Sequence, residues 1–151
     1  MPVRATKRGA ERSPLSGPAD VIVCGASFAG LAVARELAGT GADVLVLDRY
    51  EIGERQTSAC AAPTAWIEAL GLGATIRQTF SSLVVHLPAT SLRWELPWTF
   101  STFDYEGLCR GLWDQCAGSR FETATVSGRS RGAGEALVVH TDRGDLTAPL
   151  V

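Results

Sequence analysis

The sequence predicts an α/β fold built on a βαβ unit with a glycine-marked turn, and three observations predict it. Gly25, Ser27 and Gly30 occupy the small positions of a G-x-G-x-x-G turn, with serine where the second glycine is usual. The turn sits between the β-rich run Val21–Val23 and the helical run that follows, and the next β-rich run, Val44–Leu47, ends on the carboxylate of Asp48. Strand-rich sequence with turn residues then dominates the second half, which predicts a β-hairpin insertion and a β-meander around the unit.

Each element of the unit has a physical reason. Val21–Val23 is short and apolar, as a buried parallel strand is. Gly25, Ser27, Phe28, Ala29 and Gly30 form the turn, where unpaired N–H groups and the partial positive charge of a helix start face a pyrophosphate. The spacing predicts a helix over 31–40, with Ala34 allowing close helix–strand packing and Gly41 ending it. Asp48 lies 18 residues beyond Gly30, where an acid accepts hydrogen bonds from a ribose. Ser27 crowds a phosphate more than glycine does, yet its hydroxyl can donate to a phosphate oxygen. An ordinary βαβ unit with a small-residue turn is the alternative. The uncharged run Val21–Ala34 follows a basic segment, as in a secretory signal, but Asp20 directly precedes it and glycines interrupt it. It is also short of the roughly 20 residues a membrane helix needs.

Beyond Asp48 the pattern changes. Residues 49–63 (RYEIGERQTSACAAP) read as a long irregular loop, the kind that usually carries function. A short helix is expected at about 64–70, ended by Gly71, and then two strands, 82–87 and 92–96, joined by Pro88-Ala-Thr-Ser91. That is an antiparallel insertion where a nicotinamide-type half-fold would continue to another helix and a third parallel strand. A further helix begins at Asp104 as N-cap, with Phe103 and Leu108 at staple spacing. Its apolar face is Tyr105, Leu108, Cys109, Leu112, Trp113 and Cys116. Residues 123–127, 136–141 and 146–151 read as three strands separated by the turns 130–134 and 142–145.

On these residues the chain resembles FAD-dependent oxidoreductases of the geranylgeranyl reductase type, within the wider para-hydroxybenzoate hydroxylase-like flavoprotein group. The similarity rests on DVIVCGASFAGLAVARELA, DVLVLDR, ERQTSACAAPT and the F-D of Phe103-Asp104. It runs over residues 20–151 and is strongest over 20–63. The resemblance implies a Rossmann-like FAD-binding fold with a β-hairpin insertion and a β-meander. It places the FAD pyrophosphate on Gly25, Ser27 and Gly30, and the adenosine ribose on Asp48. Arg49 becomes a phosphate or adenine contact, Cys60 a residue of the flavin-side loop Thr57–Pro63, and the backbone of Val126 an edge against the adenine. The group carries an arginine shortly before the F-D; this chain has Phe100-Ser101-Thr102, with Arg110 the candidate replacement. The substrate-domain insertion would start near residues 80–100. The apolar sequence at Ala148–Val151 reads as the middle of a strand, which implies an N-terminal fragment of a longer flavoprotein.

Composition sets limits. One domain of 151 residues with 46% apolar content can bury a core. A net charge of −2 gives no electrostatic case for nucleic acid. Residues 1–19, with Arg4, Lys7, Arg8, Arg12 and several prolines and glycines, read as a disordered basic tail, and the FAD/NAD(P)-binding domain as 20–151. Cys24, Cys60, Cys109 and Cys116 lack metal-ligand spacing, so reduced thiols in the cytoplasm fit them. His86 and His140 fall in expected strands, and a strand role outweighs one as catalytic base for both. Catalytic residues are therefore left unassigned, because in flavin enzymes the cofactor carries the hard chemistry. The aromatic segment Trp94–Phe103 would line a cavity for a hydrophobic organic substrate or pack the hairpin onto its helix. The expected activity is reduction of an isoprenoid-type substrate, with hydroxylation second and with NAD(P)H or another compound as donor. The alternative is a non-catalytic nucleotide-binding remnant.

Overall fold

A computed structural model describes residues 12–56, 59–132, 134 and 136–151. At its centre lie β1 (Val21–Cys24), β2 (Val44–Asp48) and β6 (Arg120–Thr123), all parallel, in the order β1-β2-β6. The middle strand explains the three layers. Val44 and Val46 face a core containing Leu31, Ala34, Leu108 and Leu112, contributed by α1 (Phe28–Leu37) and α3 (Tyr105–Trp113). Leu45 and Leu47 face a second core with Val139, Leu146 and Ala148. Because β2 is covered on both faces, it is apolar at every position up to Asp48.

The second core comes from an antiparallel meander of β7 (Val126–Arg131), β8 (Leu137–Thr141) and β9 (Gly144–Ala148). Between β2 and α3 the chain forms β3 (Ala61–Pro63), α2 (Thr64–Ala69), a short 3-10 turn, β4 (Ile76–Leu87) and β5 (Thr90–Phe103). These strands make a long ribbon in the order β3-β5-β4. Its base is fixed by a buried hydroxyl: Ser101 Oγ lies 2.7 Å from Thr64 Oγ1 and 2.8 Å from Thr79 Oγ1. Further out, Leu83 opposes Trp94 and Val85 opposes Leu92, so one face of the ribbon is apolar and exposed.

Several expectations are corrected. The first helix spans Phe28–Leu37 rather than 31–40. Ser27 has the extended backbone of an N-cap, so the helix starts inside the glycine turn, and Gly39, at φ +78°, follows its end before Gly41 is reached. A third parallel strand does exist, β6, on the far side of the hairpin insertion. Its sequence RFET is too short and polar to announce itself, and it is held by Arg120, whose Nε and NH2 donate to Asp43 Oδ1 and Oδ2 at 3.0 and 2.7 Å. The expected strand 123–127 is thereby split between β6 and β7. The hairpin strands are two to three times as long as expected and meet in a two-residue turn, Pro88-Ala89, not a four-residue one. Leu146–Val151 is not one strand, because β9 ends at Ala148 and the chain then leaves the meander.

At the start of the chain, residues 1–11 of the expected tail lie outside the described residues. Residues 12–19 are part of the fold. Arg12 donates to the Thr123 carbonyl, to Thr123 Oγ1 at 2.7 Å and to Asp142 at 3.1 Å, and its side chain is only 7% exposed. The Leu15 N–H donates to the Arg143 carbonyl at 2.8 Å. Asp104 is the N-cap of α3, but its carboxylate makes no capping hydrogen bond and receives Arg77 at 2.9 Å instead.

The approach of α1 to β1 leaves no room for a side chain at Gly30. A Cβ there would lie 1.9 Å from the Gly25 carbonyl oxygen, a backbone atom that cannot swing aside as a side chain does. Gly30→Ala is expected to cost at least about 1–3 kcal/mol, the usual range for overpacking. Urea unfolding measures this, and a loss under about 0.5 kcal/mol would show that α1 slides freely over the turn.

Candidate nucleotide site

The three parallel strands end together, and the candidate site lies at those carboxyl ends, where open α/β sheets bind ligands. Gly25 leaves β1 at φ +117°, a conformation that favours glycine, while its N–H donates to the Leu47 carbonyl at 2.7 Å. The chain then turns into α1, whose first internal bond runs from the Leu31 N–H to the Ser27 carbonyl at 2.9 Å. The N–H groups of Phe28, Ala29 and Gly30 therefore have no acceptor within the helix. Ser27 makes no side-chain capping bond, so its hydroxyl is not spent on the helix.

Asp48 is the strut of this arrangement. Its Oδ2 accepts the Ala26 N–H at 2.8 Å and its Oδ1 accepts the Tyr50 N–H at 3.0 Å. Its own carbonyl accepts the Ala124 N–H at 2.7 Å, which ties the exit of β6 to the same point. One residue thus joins the glycine turn, the loop after β2 and the crossover into the meander. A carboxylate oxygen can accept two hydrogen bonds and each here accepts one, so both retain capacity for ribose hydroxyls.

The structure places the remaining sequence-derived residues at different distances from this turn. The Phe28 ring packs edge-on against Phe103 at 6.3 Å and 85°, anchoring the helix start to the end of β5. Arg49 is exposed, and its guanidinium lies 5.4 Å from the centre of the Tyr50 ring. Arg55 lies 5.1 Å from that ring and hydrogen-bonds the Tyr50 hydroxyl. Both guanidiniums thus lie against the one Tyr50 ring, a cluster that the sequence does not announce. Cys60 is half-buried and its carbonyl accepts the Phe103 N–H at 3.1 Å; Thr57 and Ser58 of the same loop lie outside the described residues. Burial, and then Asp104, push its thiol pKa up. Val126 opens β7 in the meander layer, opposite Thr141. His86 pairs with Ser91 on the exposed ribbon, and His140 bridges Ser130 and Asp145 on the meander, so neither joins the turn. Arg110 pairs with Glu106 at 2.9 Å on the exposed side of α3.

Sequence reasoning assigned Tyr105 and Cys109 to the core, which is correct, and missed their position beside the site. Cys109 is fully buried beside the Tyr105 hydroxyl and the Phe28 N–H, which favour its thiolate form and only partly offset the burial. Burial above all raises its thiol to about 11, with Cys60 and Asp48 adding to the rise. Tyr105 is raised as well, first by burial and then by Cys109. Their helical spacing on one apolar face gave no sign of the α1 contact.

The turn fits a dinucleotide pyrophosphate: it offers backbone rather than side chains, a helix start with unspent donors, and open space beside Gly25, where an added Cβ would meet no atom within 4 Å. Among the described residues no cluster of His, Cys, Asp or Glu suits a metal ion, and no helix is long and apolar enough to cross a membrane.

A neutral Cys109 is favoured by the fold, which fixes the sign of a pH effect. Its stabilisation is full below the ordinary thiol value of 9.0 and is lost as pH rises towards about 11. Stability measured by urea unfolding should fall over that window, more steeply in the wild type than in Cys109→Ala. Parallel curves would remove burial of this thiol as the cause.

Residues 20–74 match the family model described as FAD dependent oxidoreductase. No curated protein matches the chain in sequence. Among solved structures, the chain is similar to a geranylgeranyl bacteriochlorophyll reductase-like protein from Thermoplasma acidophilum, at 14% identity and a TM-score of 0.68, over 87% of this chain and 37% of that one. It is similar to PqsL of P. aeruginosa in complex with 2-aminobenzoylacetate, at 21% identity and TM-score 0.64, over 87% of this chain and 41% of that one. A third is the halogenase PltM in complex with phloroglucinol and FAD, at 14% identity and TM-score 0.65, over 87% and 33%. The chain thus spans 33–41% of the length of these structures. With a family model over its βαβ unit and these structural likenesses over most of its length, the chain has the nucleotide-binding fold of the FAD-dependent oxidoreductases.

Proposed function

We propose that this chain forms the adenosine and pyrophosphate half of an FAD site in a flavin-dependent oxidoreductase that acts on a hydrophobic organic substrate. The observation that carries the reading is the joint placement of the α1 start, the side-chain-free turn at Gly25 and Gly30, and Asp48 at the end of β2. FAD, when bound, supplies the hydride and electron transfer. The residues of this chain bind and orient it. Ala29 and Gly30 offer N–H groups to the pyrophosphate, Ser27 its hydroxyl, and Asp48 accepts from the ribose while holding the turn in shape. Arg49 stands beside the adenosine end, and Val126 offers backbone there. Cys60 belongs to a loop of small residues that leaves room for the flavin ring.

The reaction we favour is saturation of an isoprenoid-type double bond, with hydroxylation as the competing chemistry and NAD(P)H as a candidate electron donor. Support for a hydrophobic substrate comes from the apolar face of the β4–β5 ribbon, where Trp94 is 48% exposed. The thiols of the four cysteines are consistent with a reducing compartment such as the cytoplasm.

Quenching of flavin fluorescence on titration with the protein tests the binding. Asp48→Ala should weaken FAD by about 1.5–3 kcal/mol, the value of charge-assisted hydrogen bonds. Ser27→Gly should be neutral or tighten binding; a large loss would make the hydroxyl a required donor. Absence of FAD binding by both the 151-residue chain and a longer protein containing it would refute the proposal. For the loop, Cys60→Trp should displace flavin or shift its spectrum, because an indole fills the space the ring needs, whereas Cys60→Ser should change little.

A further inference from the structure

We propose that Arg12, in the segment ahead of β1, is a positioning residue of the nucleotide site, acting on Asp48 through the crossover from β6 to β7. This rests on the nucleotide reading above and adds a residue from outside the βαβ unit. The starting point is a pair of buried guanidiniums. The side chains of Arg12 and Arg143 are each only 7% exposed, and both donate to the Thr123 carbonyl. A charge so far from water is tolerated only when it is paired, which holds its neighbours in one geometry. Arg143 has Glu122 at 2.8 Å and Arg12 has Asp142 at 3.1 Å.

The crossover is fixed residue by residue. Thr123 accepts Arg12 at its carbonyl and, at 2.7 Å, at its hydroxyl. Ala124 donates its N–H to the Asp48 carbonyl at 2.7 Å. Thr125 donates its N–H to Asp142 Oδ1 at 2.7 Å, while Asp142 Oδ2 receives Arg12. Arg12 thus closes a ring of contacts around the crossover, and Ala124 in its middle holds the backbone of Asp48. Thr123 is also the register partner of Asp48. The Asp48 carboxylate faces the glycine turn and its carbonyl faces the crossover, so a shift of the crossover carries to the carboxylate. The segment that bears Arg12 is itself clamped. Its Ser13 carbonyl accepts Arg143 Nε at 2.9 Å, and its Leu15 N–H donates to the Arg143 carbonyl at 2.8 Å. Gly144, at φ +113°, completes the contact, because a Cβ there would lie 3.1 Å from the Leu15 carbonyl oxygen.

Amide-shift titrations of the 151-residue chain with ADP and with inorganic pyrophosphate are the test. ADP carries the ribose that Asp48 would accept from, whereas pyrophosphate would meet only the glycine turn. Arg12→Gln should weaken ADP about fivefold or more and leave pyrophosphate unchanged, since a residue without ligand contact acts here through its neighbours. Asp142→Asn keeps an oxygen for the Thr125 N–H but removes the charge that holds Arg12. It should give the same selective loss to a smaller degree, and it carries the comparison if Arg12→Gln fails to fold. In an Asp48→Ala background Arg12→Gln should add no further loss of ADP, because the two act along one line. Equal weakening of ADP and pyrophosphate would make Arg12 a support of the whole fold and overturn the proposal. An unchanged ADP affinity in both folded variants would overturn it too. A wild-type chain that binds neither probe would instead remove the nucleotide reading, and this inference with it.

Discussion

The contact between the Gly25 carbonyl and the first turn of α1 governs the rest of the molecule. Helix and strand meet there with backbone against backbone, which sets the height of α1 above the sheet. That height decides which side chains fill the space between them: Leu31 and Ala34 from the helix, Val44 and Val46 from β2. It also places the helix start directly over the strand ends, where a phosphate group would meet partial positive charge. Packing and binding thus depend on the same missing Cβ. The sheet keeps its order below this point because Asp48 fastens the turn, the loop after β2 and the crossover after β6 through three backbone N–H groups.

How much of this was legible in the sequence depended on how local the cause was. The βαβ unit was readable because its glycines, its apolar runs and its carboxylate lie within 29 residues and each acts on its neighbours. The helix boundary was misplaced by three residues because Ser27 acts as N-cap through its backbone conformation, with no side-chain bond to signal it. β6 was missed because nothing in Arg120-Phe-Glu-Thr123 specifies a parallel strand; Asp43, far away in sequence, receives its arginine. The approach of Cys109 to the Phe28 backbone was likewise invisible, since it requires α3 to lie against α1. Arg12 shows the same limit: composition assigned it to a tail, whereas its partners are Thr123 and Asp142.

The two cores differ in how they treat polar groups. The helical side admits Cys109 and Tyr105, neighbours on α3, close to the candidate site. The meander side is aliphatic, and its polar fastening is moved to the rim, where Arg143 donates to Glu122 at 2.8 Å, to the Thr123 carbonyl at 2.8 Å and to the Ser13 carbonyl at 2.9 Å. Polarity thus lies nearest the end of the sheet at which a ligand would be held.

The placement of the tryptophans decides what light can report from this protein. Trp66, Trp94 and Trp98 are 68%, 48% and 53% exposed, on α2 and the ribbon, while Trp113 alone lies half-buried on α3, edge-on to Phe121 of β6 at 5.9 Å. Three of the four indoles already stand largely in water, so their emission is red-shifted before any unfolding begins. The red side of the emission therefore follows the ribbon and α2. The blue side of the emission comes from Trp113 and dims when α3 parts from β6.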